Sequence, residues 1–197
     1  MPKCKFCKQS ASQKFGLNYF CDTECAYKQV IAAQAKKGSK DASEQRKRDR
    51  EKLRQLKTQT EWADETQKIF NKMRRLEELL WFKERGLVPV CFSCQKPLGN
   101  DVWACGHYKT RGARSDLAFE RLNTHLQHNF GCNSNKSGDV DGQKIGYALR
   151  YGKEQAEKIL ADLDVRREVK KRTPEEWGAM KKEYSAETRR LQKLLES

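Results

Sequence analysis

No run of apolar residues in this 197-residue chain is long enough to cross a bilayer, and the mean hydropathy is −0.98. A membrane-spanning protein is thereby excluded as an expectation. No apolar leader-like run precedes the first cysteines, whose short spacing suits metal ligation. A reducing cytoplasm is therefore expected rather than a secreted, disulfide-bonded setting. Large apolar residues are scarce between Met1 and Lys28, so that segment cannot bury much of a core. Acidic residues are also in deficit: 27 Asp and Glu face 41 Lys and Arg, a formal charge of +14. A surplus of this size favours a polyanionic partner, of which nucleic acid is the commonest. The charge is concentrated, with ten basic and four acidic residues between Lys36 and Lys57. That stretch has no large apolar face to insert into an acidic membrane surface.

Cysteine and histidine are where the sequence is specific. Cys91-x2-Cys94 and His128-x3-Cys132 form two short-spaced pairs, the pattern by which tetrahedral zinc takes two ligands from each of two turns. Cys4-x2-Cys7 and Cys21-x3-Cys25 form a second such frame. In a segment with so little to bury, zinc–ligand free energy would replace hydrophobic burial. The competing explanation, cysteines packed as small apolar residues, rarely yields this spacing by chance. Seven of the eight cysteines belong to the frames. Cys105 is left over as a packed or free thiol.

The pattern divides the chain into an N-terminal zinc finger (1–28), a basic helical linker (29–57), a zinc-framed domain with flanking helices (58–172) and a C-terminal helix (173–197). The linker is rich in Ala, Gln, Lys, Arg and Glu, interrupted only by Gly38 and Ser39. Thr58-x2-Glu61 reads as a capping box. After it Trp62, Thr66, Ile69, Met73, Leu76 and Leu80 recur at helical spacing, as a core face or helix seam. Gly86 and Pro89 end that helix. Residues 88–92 and 102–108 have strand-like content with the Pro97-Leu98-Gly99-Asn100 turn between them. A helix is expected from Asn133 onward. Ile145, Leu149, Ile159 and Leu163 then mark short amphipathic helices. Thr173-Pro174-Glu175-Glu176 opens the last helix, with Trp177, Met180, Tyr184 and Leu191 as its apolar stripe. The fold class is α+β.

His107 is a histidine that neither frame needs. At a hairpin end, it would face the region near Asn133. A neutral imidazole can take a proton from water, and a divalent cation beside it can stabilise phosphoryl oxygens and a leaving 3′-oxygen. Asn133 follows the last zinc ligand directly, so zinc would fix its position, and its amide oxygen suits a hard cation such as Mg²⁺. Asn123 could hold the intervening loop through backbone groups. Lys109, Arg111, Arg114 and Lys136 surround these residues as candidate phosphate contacts, and Arg46, Lys47, Arg48 and Arg50 supply others on the basic helix.

The order Cys91-x2-Cys94, Gly106-His107-Tyr108, Phe119-x3-Asn123-x-His125 and Cys132-Asn133-x2-Lys136-Ser137-Gly138 resembles an HNH (ββα-metal) endonuclease. More narrowly, it is similar to the lambdoid phage NinG (Rap) family of recombination nucleases. The resemblance covers most of the chain and is most specific from 91 to 138. It implies a zinc-stabilised HNH core, two structural zinc ions, catalytic Mg²⁺ or Mn²⁺, and cleavage of branched or double-stranded DNA such as Holliday junctions and D-loops. It implies roles for His107 as general base, Asn123 as the middle asparagine and Asn133 as metal ligand, in a phage-encoded protein of the bacterial cytoplasm. Two departures stand out. Many HNH sites carry Asp where this chain has Gly106, leaving His125, Asp139 or Asp101 as substitutes, with His125 the tentative metal ligand. The second zinc pair is His128-x3-Cys132 where related chains more often show Cys-x2-Cys. A non-catalytic DNA-binding recombination accessory on an HNH scaffold is the alternative. Because a junction needs two cuts, a homodimer is a further expectation, with the long helices as candidate seams.

Overall fold

The computed structural model describes all 197 residues and divides into two compact units, Met1–Leu56 and Lys57–Ser197. It is a helix-rich α+β structure with two small antiparallel sheets. No helix is long and apolar enough to cross a membrane.

In the first unit, Cys4 and Cys7 lie on a turn closed by Cys4 N–H to Gln9 O at 2.7 Å and Lys8 N–H to Cys4 O at 3.0 Å. Strands β1 (Gln13–Phe15) and β2 (Asn18–Phe20) form a hairpin across Gly16 and Leu17, where Gly16 takes the positive φ of 59° that the tight turn requires. Cys21 follows β2 directly. Helix α1 (Thr23–Gln55) starts inside the cysteine region, capped by the Asp22 carboxylate, which accepts from Cys25 N–H at 2.7 Å. It runs unbroken through Gly38 and Ser39 for 33 residues and buries none of them. High helix propensity carries it, since Ala, Gln, Lys, Arg and Glu dominate its composition.

The second unit rests on two parallel helices, α2 (Gln59–Lys83) and α5 (Pro174–Glu196), each begun by a complete capping box, at Thr58/Glu61 and Thr173/Glu176. Their starts are tied by Gln59, which donates to Arg172 O at 2.7 Å and accepts from Trp177 Nε1 at 3.1 Å. Their ends are tied by Lys83, which donates to Leu194 O and Leu195 O. Phe70, Met73 and Leu191 form the seam, with Leu76, Leu80, Phe119 and Tyr184 around it. The other face of α2 holds a hairpin of β3 (Trp103–His107) and β4 (Thr124–His128), in register Trp103↔His128 to His107↔Thr124. Arg74 of α2 makes that attachment, donating to Thr124 Oγ1 at 3.0 Å and Thr124 O at 2.8 Å while pairing with Glu78 at 2.9 Å and with Glu77. Helices α3 (Val140–Tyr151) and α4 (Lys153–Asp164) close the unit over a core of Phe92, Tyr108, Leu117, Tyr147, Ala156, Ile159 and Leu163.

The structure differs from the sequence reading at three elements. The partner of residues 103–107 is β4, not residues 88–92, which contribute only the isolated bridge Val90↔Pro97. The helix expected from Asn133 begins at Val140. Residues 129–134 form a wide π-type turn, and Ser137 (φ 48°), Gly138 (φ 89°) and Asp139 (φ 49°) turn the chain through left-handed backbone first. Ile145 and Leu149 are exposed. The buried face of α3 is instead Gln143, Gly146 and Tyr147, because Gly146 packs so closely that a Cβ there would sit 2.1 Å from Phe92 O.

Candidate metal centres and the adjoining cleft

Each cysteine frame closes into a cluster. The ligand atoms of Cys4, Cys7, Cys21 and Cys25 lie within 4.8 Å of one another, as do those of Cys91, Cys94, His128 and Cys132. Tetrahedral zinc with bonds of about 2.3 Å places neighbouring sulfurs about 3.8 Å apart, so both donor sets have the size and chemistry for one zinc ion. Thiols this close resist ionising together without a cation. Desolvation raises the Cys4 thiol, but backbone N–H groups of Cys7, Cys21 and Phe6 outweigh it and bring it to about 6. The hydrogen bond to Cys7 and desolvation push Cys21 up to about 12, while desolvation first and then the neighbouring thiols push Cys25 to about 11.

In the second cluster the histidine is preset. His128 Nε2 lies 2.9 Å from Pro97 O, which can only accept, so Nε2 carries the proton. Nδ1, 3.6 Å from Cys94 Sγ, is left as the ligand nitrogen. Asp101 then fastens the turn bearing Cys132: its carboxylate accepts from Val102, Phe130 and Gly131 N–H at 2.7–3.1 Å, bonds that hold its pKa below the usual range against desolvation. That carboxylate is committed to the fold. Cys105 stands apart from the cluster, and burial pushes its thiol up to about 12.

Beside the second cluster lies an open cleft of about 240 Å³, lined by His107, Thr110, Arg111, Asn133, Ser137 and Gly138. It joins the end of β3, the long 108–123 loop and the turn after Cys132. His107 is half-buried with Nε2 3.3 Å from Ala118 O and 3.4 Å from Gln67 Nε2. The two Gln67 amide hydrogens are already directed to Asn71 Oδ1 at 2.8 Å and Ala118 O at 2.9 Å. His107 Nε2 is therefore the protonated nitrogen, and Nδ1 carries the lone pair. Desolvation lowers its pKa, so the ring is neutral at pH 7. Asn123, 0% exposed, staples the loop behind it: Oδ1 accepts from Lys109 N–H at 2.8 Å, and Nδ2 donates to Lys109 O and Leu117 O.

Of the candidate residues His107, Arg111 and Asn133 line this cleft, while His125 and Arg114 are turned into the interior. His125 is 1% exposed, stacked on Phe92 with ring centroids 3.7 Å apart and Nε2 3.1 Å from Tyr151 Oη. Desolvation, with Arg74 and Arg150 nearby, lowers its pKa well below the usual value, and its Nδ1 is buried without a hydrogen-bond partner. Arg114 is turned inward as well. It pairs with Asp116 and donates to Leu163 O, Asp164 O and Val165 O, satisfying the carbonyl end of α4 instead of facing solvent. The other cations differ in freedom. Lys109 pairs with Asp164 at 2.5 Å and Arg111 with Asp64 at 3.2 Å, while exposed Lys136 lies 3.7 Å from Asp139. Arg46, Lys47, Arg48 and Arg50 are exposed on α1. Sequence reasoning missed Gln67, whose position 40 residues before His107 carries no local signal.

Residues 1–196 match the family model described as Bacteriophage Lambda NinG protein. Protein ninG of Escherichia phage 933W is 27% identical over 200 residues, spanning 96% of this chain and 92% of the relative. Protein ninG of Escherichia phage lambda is 27% identical over 196 residues (94% and 89%), and that of Salmonella phage P22 is 26% identical over 196 (94% and 90%). No solved structure matches the chain.

Proposed function

Since the chain belongs to the NinG family, we propose that it is a metal-dependent, structure-selective DNA endonuclease of the HNH type, acting on branched recombination intermediates in the host cytoplasm. The observation that carries this reading is the cleft beside the zinc cluster, where a neutral His107 with a preset tautomer faces Asn133 and Arg111. His107 Nδ1 takes a proton from water as the water oxygen attacks phosphorus, and the bond from phosphorus to the 3′-oxygen breaks. Ala118 O, accepting from Nε2–H, steadies the imidazolium that forms. Arg111 holds the phosphate, and Asn123 keeps the loop from closing over it. Asn133 would hold Mg²⁺ or Mn²⁺ through its amide oxygen, and that ion would neutralise charge on the phosphate and the leaving oxygen. The ten basic residues between Lys36 and Lys57 supply sequence-independent affinity by displacing counterions from DNA. A homodimer would deliver the paired cuts that resolve a junction.

Gly106 favours a second reading, a DNA-binding accessory without catalysis, because the hairpin brings no carboxylate to the cleft at that position. Incubating the zinc-loaded protein with four-way junction, D-loop and linear duplex, each with Mg²⁺ or Mn²⁺, separates the two. The endonuclease reading expects cleavage of branched DNA above duplex. Binding without any cleavage would select the accessory.

A further inference from the structure

Gly106 occupies a place where no other side chain fits. A Cβ there would lie 1.6 Å from Gln127 Oε1, 2.4 Å from its Cδ and 2.9 Å from its Cγ. Gln127 has little freedom to move aside. It is 0% exposed, and its Nε2 donates to Gly138 O at 2.7 Å and to the Ser93 hydroxyl, which sits between Cys91 and Cys94. Gln143, equally buried, reaches the same turn from α3: its Nε2 donates to Gly138 O at 2.9 Å and to His107 O at 3.3 Å. Backbone carbonyls only accept, so both amides are fixed with nitrogen toward Gly138. Both Oε1 atoms are buried without an N–H or O–H donor, an arrangement that is costly unless something else faces them. For Gln127 that something is the Cα of Gly106, whose second hydrogen points where a Cβ would stand, as a C–H···O contact.

We propose that Gln127 and Gln143 are positioning residues, an amide brace that fastens the His107 carbonyl and the Gly138 turn to the zinc-binding Cys91–Cys94 loop. His107 and Gly138 both line the cleft, so the brace sets the separation of its walls. Gly106 is kept bare to let Gln127 cross the hairpin. It follows that an aspartate introduced at 106 displaces the brace instead of adding a cation ligand. This rests on the nuclease reading for its catalytic consequence, but the brace itself has readouts that need no cleavage.

The test is a double-mutant cycle on the full-length, zinc-loaded chain. Gly106→Ala should lower the unfolding midpoint by about 5 °C or more in the wild-type background, as overpacking does, and by less than about 2 °C beside Gln127→Ala. Equal losses in the two backgrounds would overturn the brace; should Gln127→Ala fail to fold, Gln127→Ser opens the same space for the same comparison. Gln143→Glu keeps the shape but removes the donor to His107 O. It should shift the His107 ring-nitrogen resonances and lower kcat about 10-fold or more, with KM and zinc content unchanged. Unshifted resonances would overturn the proposal. If the wild type cuts no DNA, the nuclease reading fails alone, and the cycle and the resonances still decide the brace.

Discussion

The two cysteine frames are built to one plan and differ in one segment. Each begins with a Cys-x2-Cys turn flanked by an isolated bridge, Lys3↔Ser10 in one and Val90↔Pro97 in the other. Each has a residue of positive φ just after the second cysteine, Lys8 at 67° and Gln95 at 57°. A hairpin follows, the third ligand stands at the end of its second strand, and the fourth lies on a helical turn. In the first frame the hairpin turns in two residues, and nothing else is gained. In the second, the sixteen residues 108–123 separate the strands, and with them come Arg111, the Ala118 carbonyl and the Asn123 staple. The cysteine frame is thus a mount. The inserted loop adds the cleft to one copy of it.

Energetics separate the frames further. The first encloses only Cys4, Ala11 and Phe20, with Cys21, Cys25 and Ala26 packed around them. The second is held by the larger cluster around Tyr147 and by the α2–α5 seam. Cys7→Ser should therefore abolish the β1–β2 hairpin outright, reducing zinc from two ions to one per chain while the second unit stays folded. Cys91→Ser should also lose one zinc, but leave the α2–α5 pair intact by amide exchange. Equal collapse of both units in either variant would contradict the distinction.

Arg74→Ala removes a cation buried between α2 and β4 and leaves Glu78 buried beside Arg150 alone. Loss of one partner from such a pair costs about 3–5 kcal/mol. Chemical denaturation should show that loss in the second unit and none in the finger. A smaller effect concerns acid. The folded pKa of His125 lies well below 6.5, so the unfolded chain binds a proton there that the folded chain refuses. Its contribution is intact above pH about 6.5 and is lost as pH falls further, at about 1.4 kcal/mol per pH unit. His125→Phe, which keeps a ring against Phe92, should flatten stability against pH in that window. An unchanged slope would show that His125 is protonated in the fold.

Ligand spacing, the caps at Thr58 and Thr173 and the stop at Gly86 were legible because each depends on a few adjacent residues. Strand β4 was not. Thr124, His125, Gln127 and His128 are polar and all buried, so the chain shows no alternation of apolar and polar positions to mark a strand. For the same reason spacing could not place His125, whose Nε2 meets Tyr151 Oη while Nδ1 is buried without a partner, or Arg114, which donates to the end of α4. The start of α3 was displaced by left-handed backbone at Ser137 and Asp139, residue types that do not announce it.

The proposed cleavage depends most directly on His107. Single-turnover cleavage of a four-way junction with Mg²⁺ or Mn²⁺ should fall about 10²- to 10⁴-fold in His107→Ala. Zinc content and junction affinity should stay at wild-type values. Cleavage by His107→Ala at the wild-type rate would contradict a general-base role for His107.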